Sequence, residues 1–241
     1  MRLAWMQGRL AVAVMAASVM LGAPPLLAQE DSLRVEARAA VVYGTALAGF
    51  GERVDDAMGV EFGLRLSRGS ELAWRVAAGA MLYGHDAERA CVTTSLGCRV
   101  RLGVVTTNSI WALETGPEVG VVAGPLALRG HLVAGASWMV TNTGLTGDYD
   151  PLPVLNTQEL ADGGLLWGGG VGASYALRKF AAPGVALEFE LQYRQHGLRR
   201  YLVEGGVAET TTGVLLDVQR SNVSLLSWRL GAAVQMPRSR R

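Results

Sequence analysis

The sequence feature that most constrains the fold is a two-residue alternation from Val185 to Arg194, which reads VALEFELQYR. Its odd positions are apolar or aromatic, whereas its even positions are charged or polar after Ala186. A β-strand turns successive side chains to opposite faces, so the stretch predicts a strand with one apolar wall and one charged wall. A helix is excluded because residues three and four apart include both apolar and charged side chains, so a helix would have no continuous apolar stripe.

The same alternation recurs in eight segments along the 241-residue chain. The predicted strands span 33–43, 58–66, 72–83, 110–123, 126–140, 165–177, 185–194 and 222–236. After the N-terminal segment, no apolar run reaches the roughly 18 residues that a membrane-spanning helix needs.

The links between the predicted strands alternate in length. The short links are 67–71, 124–125 and 178–184, and the long ones, predicted to be loops, are 44–57, 84–109, 141–164 and 196–221. Short turns at one end and long loops at the other are typical of outer-membrane barrels.

Residues 1–28 are predicted to be a secretory signal peptide that is cleaved on export. Two arginines give a positive start, an apolar run follows over 10–21, and two prolines end it before the small residue Ala28. An anchoring helix is the alternative, but the run is short and prolines follow it. The mature chain, 29–241, is expected to form one barrel domain with no attached periplasmic domain.

Cys91 and Cys98 are the only two cysteines, and an exported chain meets an oxidising compartment. The pair therefore predicts a disulfide that closes a short loop. Zinc is the alternative, but two thiols without nearby histidines or further cysteines make a poor zinc site. We predict no metal site and no cofactor.

Alternation alone leaves open which face turns outward, because a soluble carrier barrel keeps its apolar face inside and a membrane barrel turns it to lipid. Lipid is favoured by the alternating link lengths, the even strand count and aromatic residues near the strand ends. The predicted aromatic girdle consists of Tyr43, Trp74, Trp111, Trp138, Trp167, Tyr175 and Tyr193. The predicted lumen residues are Arg34, Glu36, Arg38, Glu61, Arg65, Arg75, Glu114, Glu118, Arg129, His131, Glu188, Glu190, Arg194 and Arg229.

The chain resembles the small eight-stranded outer-membrane barrels of the OmpA/OmpX type over residues 30–236. Arg229, Gly231, Val234 and Met236 match the assembly signal of such barrels: a polar residue, a glycine two on, and apolar residues five and seven on. The resemblance implies an all-β fold, a closed eight-stranded antiparallel up-and-down transmembrane β-barrel. It also implies a Gram-negative-type outer membrane and insertion by the barrel-assembly machinery.

The predicted function is a structural or surface-interaction role without enzyme activity. An eight-stranded barrel is just wide enough for side chains to fill it, so we expect a lumen plugged by Arg–Glu pairs, with at most a narrow pore. The expected partners are outer-membrane lipid and an unidentified ligand of the outer loops, and the protein is expected to be a monomer. Nucleic acid is not expected, because 22 basic residues face 21 acidic ones and no basic surface results.

Two other functions remain open. A barrel-borne lipid-modifying enzyme needs a nucleophile, a base and an orienting acid close together. The candidate residues are Ser137, Ser174, Ser227, His131 and Glu118. A soluble lipocalin-like ligand carrier would use the same strands with the two faces exchanged.

Overall fold

The computed structural model describes residues 33–68, 71–94, 97–147, 150–177, 184–210 and 213–236; the predicted signal peptide lies outside them. The strands are β1 (Arg34–Leu47), β2 (Asp56–Ser67), β3 (Leu72–Thr94), β4 (Gly97–Ala123), β5 (Leu126–Gly147), β6 (Asp150–Leu177), β7 (Val185–Thr210) and β8 (Gly213–Gln235). Each strand pairs antiparallel with the next, and β8 pairs with β1. The predicted closed eight-stranded up-and-down barrel is therefore confirmed.

The two faces of the barrel wall have the inverse polarity of a water-soluble protein. Phe62 and Leu132 on the outer face are 62% and 68% exposed, whereas Glu61 and Glu118 on the inner face are 3% and 1% exposed. Most large apolar side chains of the strands point outward, and most of the charged ones point inward. A period-two strand in a closed sheet gives this separation without any further device.

The predicted loops at 84–109, 141–164 and 196–221 are wrong, because strands β3 to β8 continue through most of these residues. Register shifts interrupt the period of two in each extension, for example between Gln195 and Gly197 and between Thr141 and Asn142. A β-bulge inserts one residue and reverses the inside–outside phase, so the alternation that marked the strands is lost there.

The predicted loop 44–57 is shorter than expected and contains a one-turn helix, α1 (Ala48–Gly51). Ala48 has a φ of 53°, a left-handed conformation that side-chain-bearing residues rarely adopt, and the chain turns toward the barrel interior there. Among the described residues, no helix has the length and apolar character needed to cross a membrane.

Backbone pairing between β6 and β7 stops part of the way along the two strands. It runs from Leu177 opposite Val185 to Trp167 opposite Gln195. The outer part of β6 continues with β5, and the outer part of β7 continues with β8. We call the boundary beyond Trp167 and Gln195 the β6–β7 seam.

The charged lumen and its apolar plug

The lumen end nearest the short turns holds three arginines and three glutamates, which we call the first cluster: Glu36, Arg38, Arg65, Glu118, Arg129 and Glu188. Glu118 is its centre. It accepts a two-pronged contact from Arg38, at 2.8 and 3.1 Å, and a further bond of 2.7 Å from Arg65 Nε. Such forked charge-assisted bonds fix both groups in one geometry.

A second cluster of three arginines and three glutamates lies further along the lumen: Glu61, Arg75, Glu114, Glu190, Arg194 and Arg229. Arg194 donates from Nε to Glu114 at 2.9 Å and also pairs with Glu61. Gln192 Nε2 donates to Glu114 at 3.0 Å. Glu61 also pairs with Arg229, so each carboxylate of the cluster has at least one guanidinium partner.

Within each cluster the formal charges cancel, and every member is buried or half-buried. A buried ion pair recovers its desolvation cost only when its geometry is good and its remaining polar atoms are satisfied. The clusters share carboxylates among several arginines, although Nε of Arg75 and Nε of Arg229 have no hydrogen-bond partner among the described residues. Together the two clusters place six arginines and six glutamates inside the barrel.

Beyond the second cluster, the lumen contains an apolar plug. It is centred on Phe50 of α1, which is fully buried against Tyr83 and Tyr201, with ring centroids 5.6 and 5.0 Å away in edge-to-face contacts. Its other members are Val42, Ala46, Val54, Ala57, Met81, Ile110, Met139, Val223 and Leu225. The β1–β2 connection thus folds into the barrel and packs there as a small hydrophobic core.

Polar side chains line the lumen around this plug. Asn108 accepts a 2.7 Å hydrogen bond from Thr141. The ring nitrogens of His196 and the hydroxyls of Ser137 and Ser227 have no hydrogen-bond partner in the described part of the chain. No group of three histidine, cysteine or acidic side chains suited to hold a metal ion occurs among the described residues.

The structure places all but one of the predicted lumen residues inside the barrel. Arg34 is the exception: it is exposed at the barrel end, opposite Ser67, and forms no ion pair with a described residue. The first position of β1 lies at the rim, where a side chain meets solvent whichever way it points.

All the predicted girdle aromatics lie on the outer face. Six of them are exposed, and Trp138 is half-buried beside Gly163. Trp111 and Trp138 are cross-strand partners, and Trp167 contacts Tyr193 at 6.3 Å between ring centroids.

Among the described residues, the hydroxyls of the candidates Ser137 and Ser227 have no hydrogen-bond partner. His131 stands opposite Glu118 in the β4–β5 register, but its closest carboxylate is Glu190, 3.3 Å away, while Glu118 is occupied by arginines. No hydrogen bond joins His131 to Ser137 among the described contacts.

The cysteines lie in the outer extension of the β3–β4 hairpin. Cys91 stands opposite Arg101 and Cys98 opposite Thr93 in the backbone register. Their side chains lie outside the described residues, so the disulfide stays a prediction.

Sequence reasoning missed Phe50 and the plug. The available signal was an aromatic residue between Gly49 and Gly51 in a stretch predicted to be a loop. Large aromatic side chains are usually buried, so Phe50 indicated a buried position, which the open end of the barrel interior provides.

The fold defines a class: small closed antiparallel barrels with an apolar outer wall and charged residues inside. No protein-family model and no curated protein matches the chain. Among solved structures, it is similar to the attachment invasion locus protein Ail of Yersinia pestis, in a complex with the heparin analogue sucrose octasulfate, at 12% identity and a TM-score of 0.44. That match covers 85% of this chain and 99% of Ail.

Two further solved proteins show likeness at the same level. Neisserial surface protein A is 16% identical, with a TM-score of 0.43 over 85% of this chain and 97% of its own. A major outer membrane protein from Thermus thermophilus is 17% identical, with a TM-score of 0.44 over 85% of this chain and 100% of its own.

Proposed function

We propose that the protein is an integral outer-membrane barrel with a structural or surface-interaction role, a closed lumen and no catalytic activity. The observation that carries the proposal is the inverted polarity of the wall. Leu132 and Leu230 are among many large apolar side chains exposed on the outside, while six arginines and six glutamates pair within. Hydrocarbon is the solvent that suits this exterior, and a closed barrel leaves no strand edge unpaired within it.

The proposal of a closed lumen is supported by three groups of side chains that follow one another along the interior. They are the first cluster, the second cluster and the apolar plug around Phe50. Water and ions passing along the barrel would have to separate shared ion pairs and then displace buried aromatic rings. Both steps are costly, because unpaired buried charges and open apolar cavities are each unfavourable.

A soluble carrier is disfavoured by the same geometry, because its ligand cavity would need apolar walls and this lumen is charged. The proposal of no catalytic activity is supported by the contacts of the candidate groups. Ser137 and Ser227 have no base as a hydrogen-bond partner among the described residues, and His131 faces arginines and Glu190. The surface role remains the function that the arrangement favours.

Because the apolar face of the wall is the outer one, the cost of placing a charged side chain there is expected to depend strongly on its depth in the membrane. Leu230→Arg, in the apolar outer face of β8 opposite Phe189, is expected to lower the free energy of unfolding by about 2 to 4 kcal/mol in lipid vesicles. The reason is that the new guanidinium must enter hydrocarbon. Reversible urea unfolding in vesicles measures the effect, with intact barrels scored by their faster migration on unheated gels.

Val234→Arg, four residues nearer the end of β8, is the matched control. It is expected to cost about 1 kcal/mol or less, because a guanidinium near the interface reaches water. Equal and negligible costs at both positions would show that the outer wall faces water, and the membrane proposal would be wrong.

The filled lumen predicts little permeation. In planar bilayers the purified barrel is expected to give no steady large conductance, because side chains fill an eight-stranded interior. Steady open-channel currents from a preparation that shows a single heat-modifiable band would contradict the closed lumen while leaving the membrane barrel intact.

A further inference from the structure

His196 is a buried histidine whose ring has no described partner. It is 1% exposed, and neither Nδ1 nor Nε2 has a hydrogen-bond partner among the described residues. A neutral imidazole donates from one ring nitrogen and accepts at the other, so both of its usual contacts are missing here. Buried polar groups without partners are uncommon, and they mark positions that serve something other than packing.

The backbone at His196 forms a β-bulge. Gln195 stands opposite Ser224 and Gly197 opposite Val223, so His196 is the additional residue between two register positions. Gly197 has a φ of 75°, in the left-handed region that glycine adopts without strain. The pairing of β7 with β6 also ends at Gln195. A bulge redirects a side chain and interrupts the ladder, and this one lies where the β6–β7 seam begins.

The imidazole lies at the junction of the second cluster and the apolar plug. It lines a small cavity together with Glu61 and Arg194 of the second cluster and with Val42 and Met81 of the plug. A change in the charge of this ring therefore acts on the boundary between a charged layer and an apolar one.

The charged groups around the imidazole are paired without it. Arg194 and Arg199 of β7 and Glu114 of β4 act on the charge of the ring, and Glu61 of β2 lines the shared cavity. Both carboxylates already pair with Arg194. A proton on the imidazole would add a buried positive charge beside two arginines, where the described carboxylates are already engaged. The closed plug therefore suits only the neutral ring.

We propose that His196 makes the apolar plug sensitive to acid. Protonation of the imidazole favours a state in which the β1–β2 connection with Phe50 leaves the barrel interior and water reaches the ring. The charged imidazole is then solvated, and the second cluster keeps its own ion pairs. Histidine titrates between pH 5 and 8 when its surroundings do not perturb it, so a mildly acidic medium operates the switch.

The size of the effect follows from the binding of one proton. The closed state holds a neutral ring, and the open state exposes a histidine with an ordinary pKa of about 6.5. Because the proton binds only to the open state, opening is favoured about thirtyfold at pH 5 relative to pH 8. The plug is thus held at neutral and higher pH and is released as the pH falls below about 6.5.

Amide hydrogen exchange of the full-length barrel in detergent micelles, corrected for the intrinsic dependence of exchange on pH, measures this opening. The β1–β2 connection, including the Val54 amide that donates to Phe50 O at 3.0 Å, is expected to lose about thirtyfold in protection between pH 8 and pH 5. Amides 187–193 of β7 are the internal reference and should stay protected, because they are paired with both β6 and β8. His196→Gln is expected to keep the connection protected at both pH values, since an amide side chain does not titrate.

The other two histidines of the chain provide matched controls. His85 is exposed on β3, and His131 is buried 3.3 Å from Glu190. His85→Gln and His131→Gln are expected to keep the pH dependence of the wild type.

Unchanged protection of the wild-type connection at pH 5, or the same loss in His196→Gln as in the wild type, would overturn the proposal. A pH dependence that disappears in His131→Gln would also overturn it, because the switch would then lie in the second cluster. So would an equal loss in the reference strand, since acid would then unfold the whole barrel. Heat-modifiable migration at both pH values shows that each variant is folded, and His196→Asn replaces His196→Gln where the latter does not form the barrel.

Discussion

Arg194→Met is expected to lower the free energy of unfolding by about 3 to 5 kcal/mol, the effect typical of removing one partner of a buried ion pair. Arg194 contacts Glu61 and Glu114, which are 3% and 2% exposed. Without the guanidinium, two carboxylates remain buried with incomplete compensation. Urea unfolding in lipid vesicles, followed by tryptophan fluorescence and gel migration, measures the loss.

Two variants make this result specific to the second cluster. Arg34→Met removes an exposed arginine with no described ion pair and is expected to change the stability by less than about 0.5 kcal/mol. The double variant Arg194→Met with Glu114→Met is expected to be more stable than the sum of its single changes, because both charges leave together. Strict additivity, or a negligible effect of Arg194→Met alone, would contradict the shared network.

Phe50→Ala is expected to lower the free energy of unfolding by about 3 to 5 kcal/mol, because it empties the centre of the plug. Phe50 is fully buried and makes edge-to-face contacts with Tyr83 and Tyr201. The β1–β2 connection around it, held by the bond from Val54 N to Phe50 O at 3.0 Å, should lose its order. Urea unfolding gives the stability, and protease cleavage between residues 48 and 55 reports the connection.

Phe50→Leu is the conservative control and should keep most of the stability and the protease resistance, because it fills much of the same volume. Neither variant is expected to conduct, since both charged clusters still fill the lumen below the plug. A fully stable Phe50→Ala variant would show that the plug is not packed as described. Large steady currents from it would show that the clusters do not close the barrel.

The barrel itself could be predicted from the sequence because its cause is local. Alternation with period two fixes which side chains share a face, and the segments that carry Phe62, Leu132 and Leu187 therefore show one apolar wall. The outward direction of that wall was predicted from the alternating link lengths, the even strand count and the aromatic residues near the strand ends. Short links such as 124–125 were visible as turn sequences.

The lengths of the strands were not predictable in the same way. In the extensions, bulges such as the one at Gly197 reverse the inside–outside phase, so the alternation does not continue from the predicted strands. The stretch 196–221 therefore resembles a loop in sequence, although most of it is paired in β7 and β8.

Sequence alone determined that arginines and glutamates would share an interior, because their positions in the alternation are the same. Only the tertiary structure decided which of them meet: Arg194 and Glu114 are 80 residues apart, as are Arg38 and Glu118. Barrel closure and strand stagger set these contacts, and neither can be predicted from a local sequence pattern. The inward fold of Phe50 and the end of β6–β7 pairing at Trp167 and Gln195 have the same origin, because both depend on how distant strands end against one another.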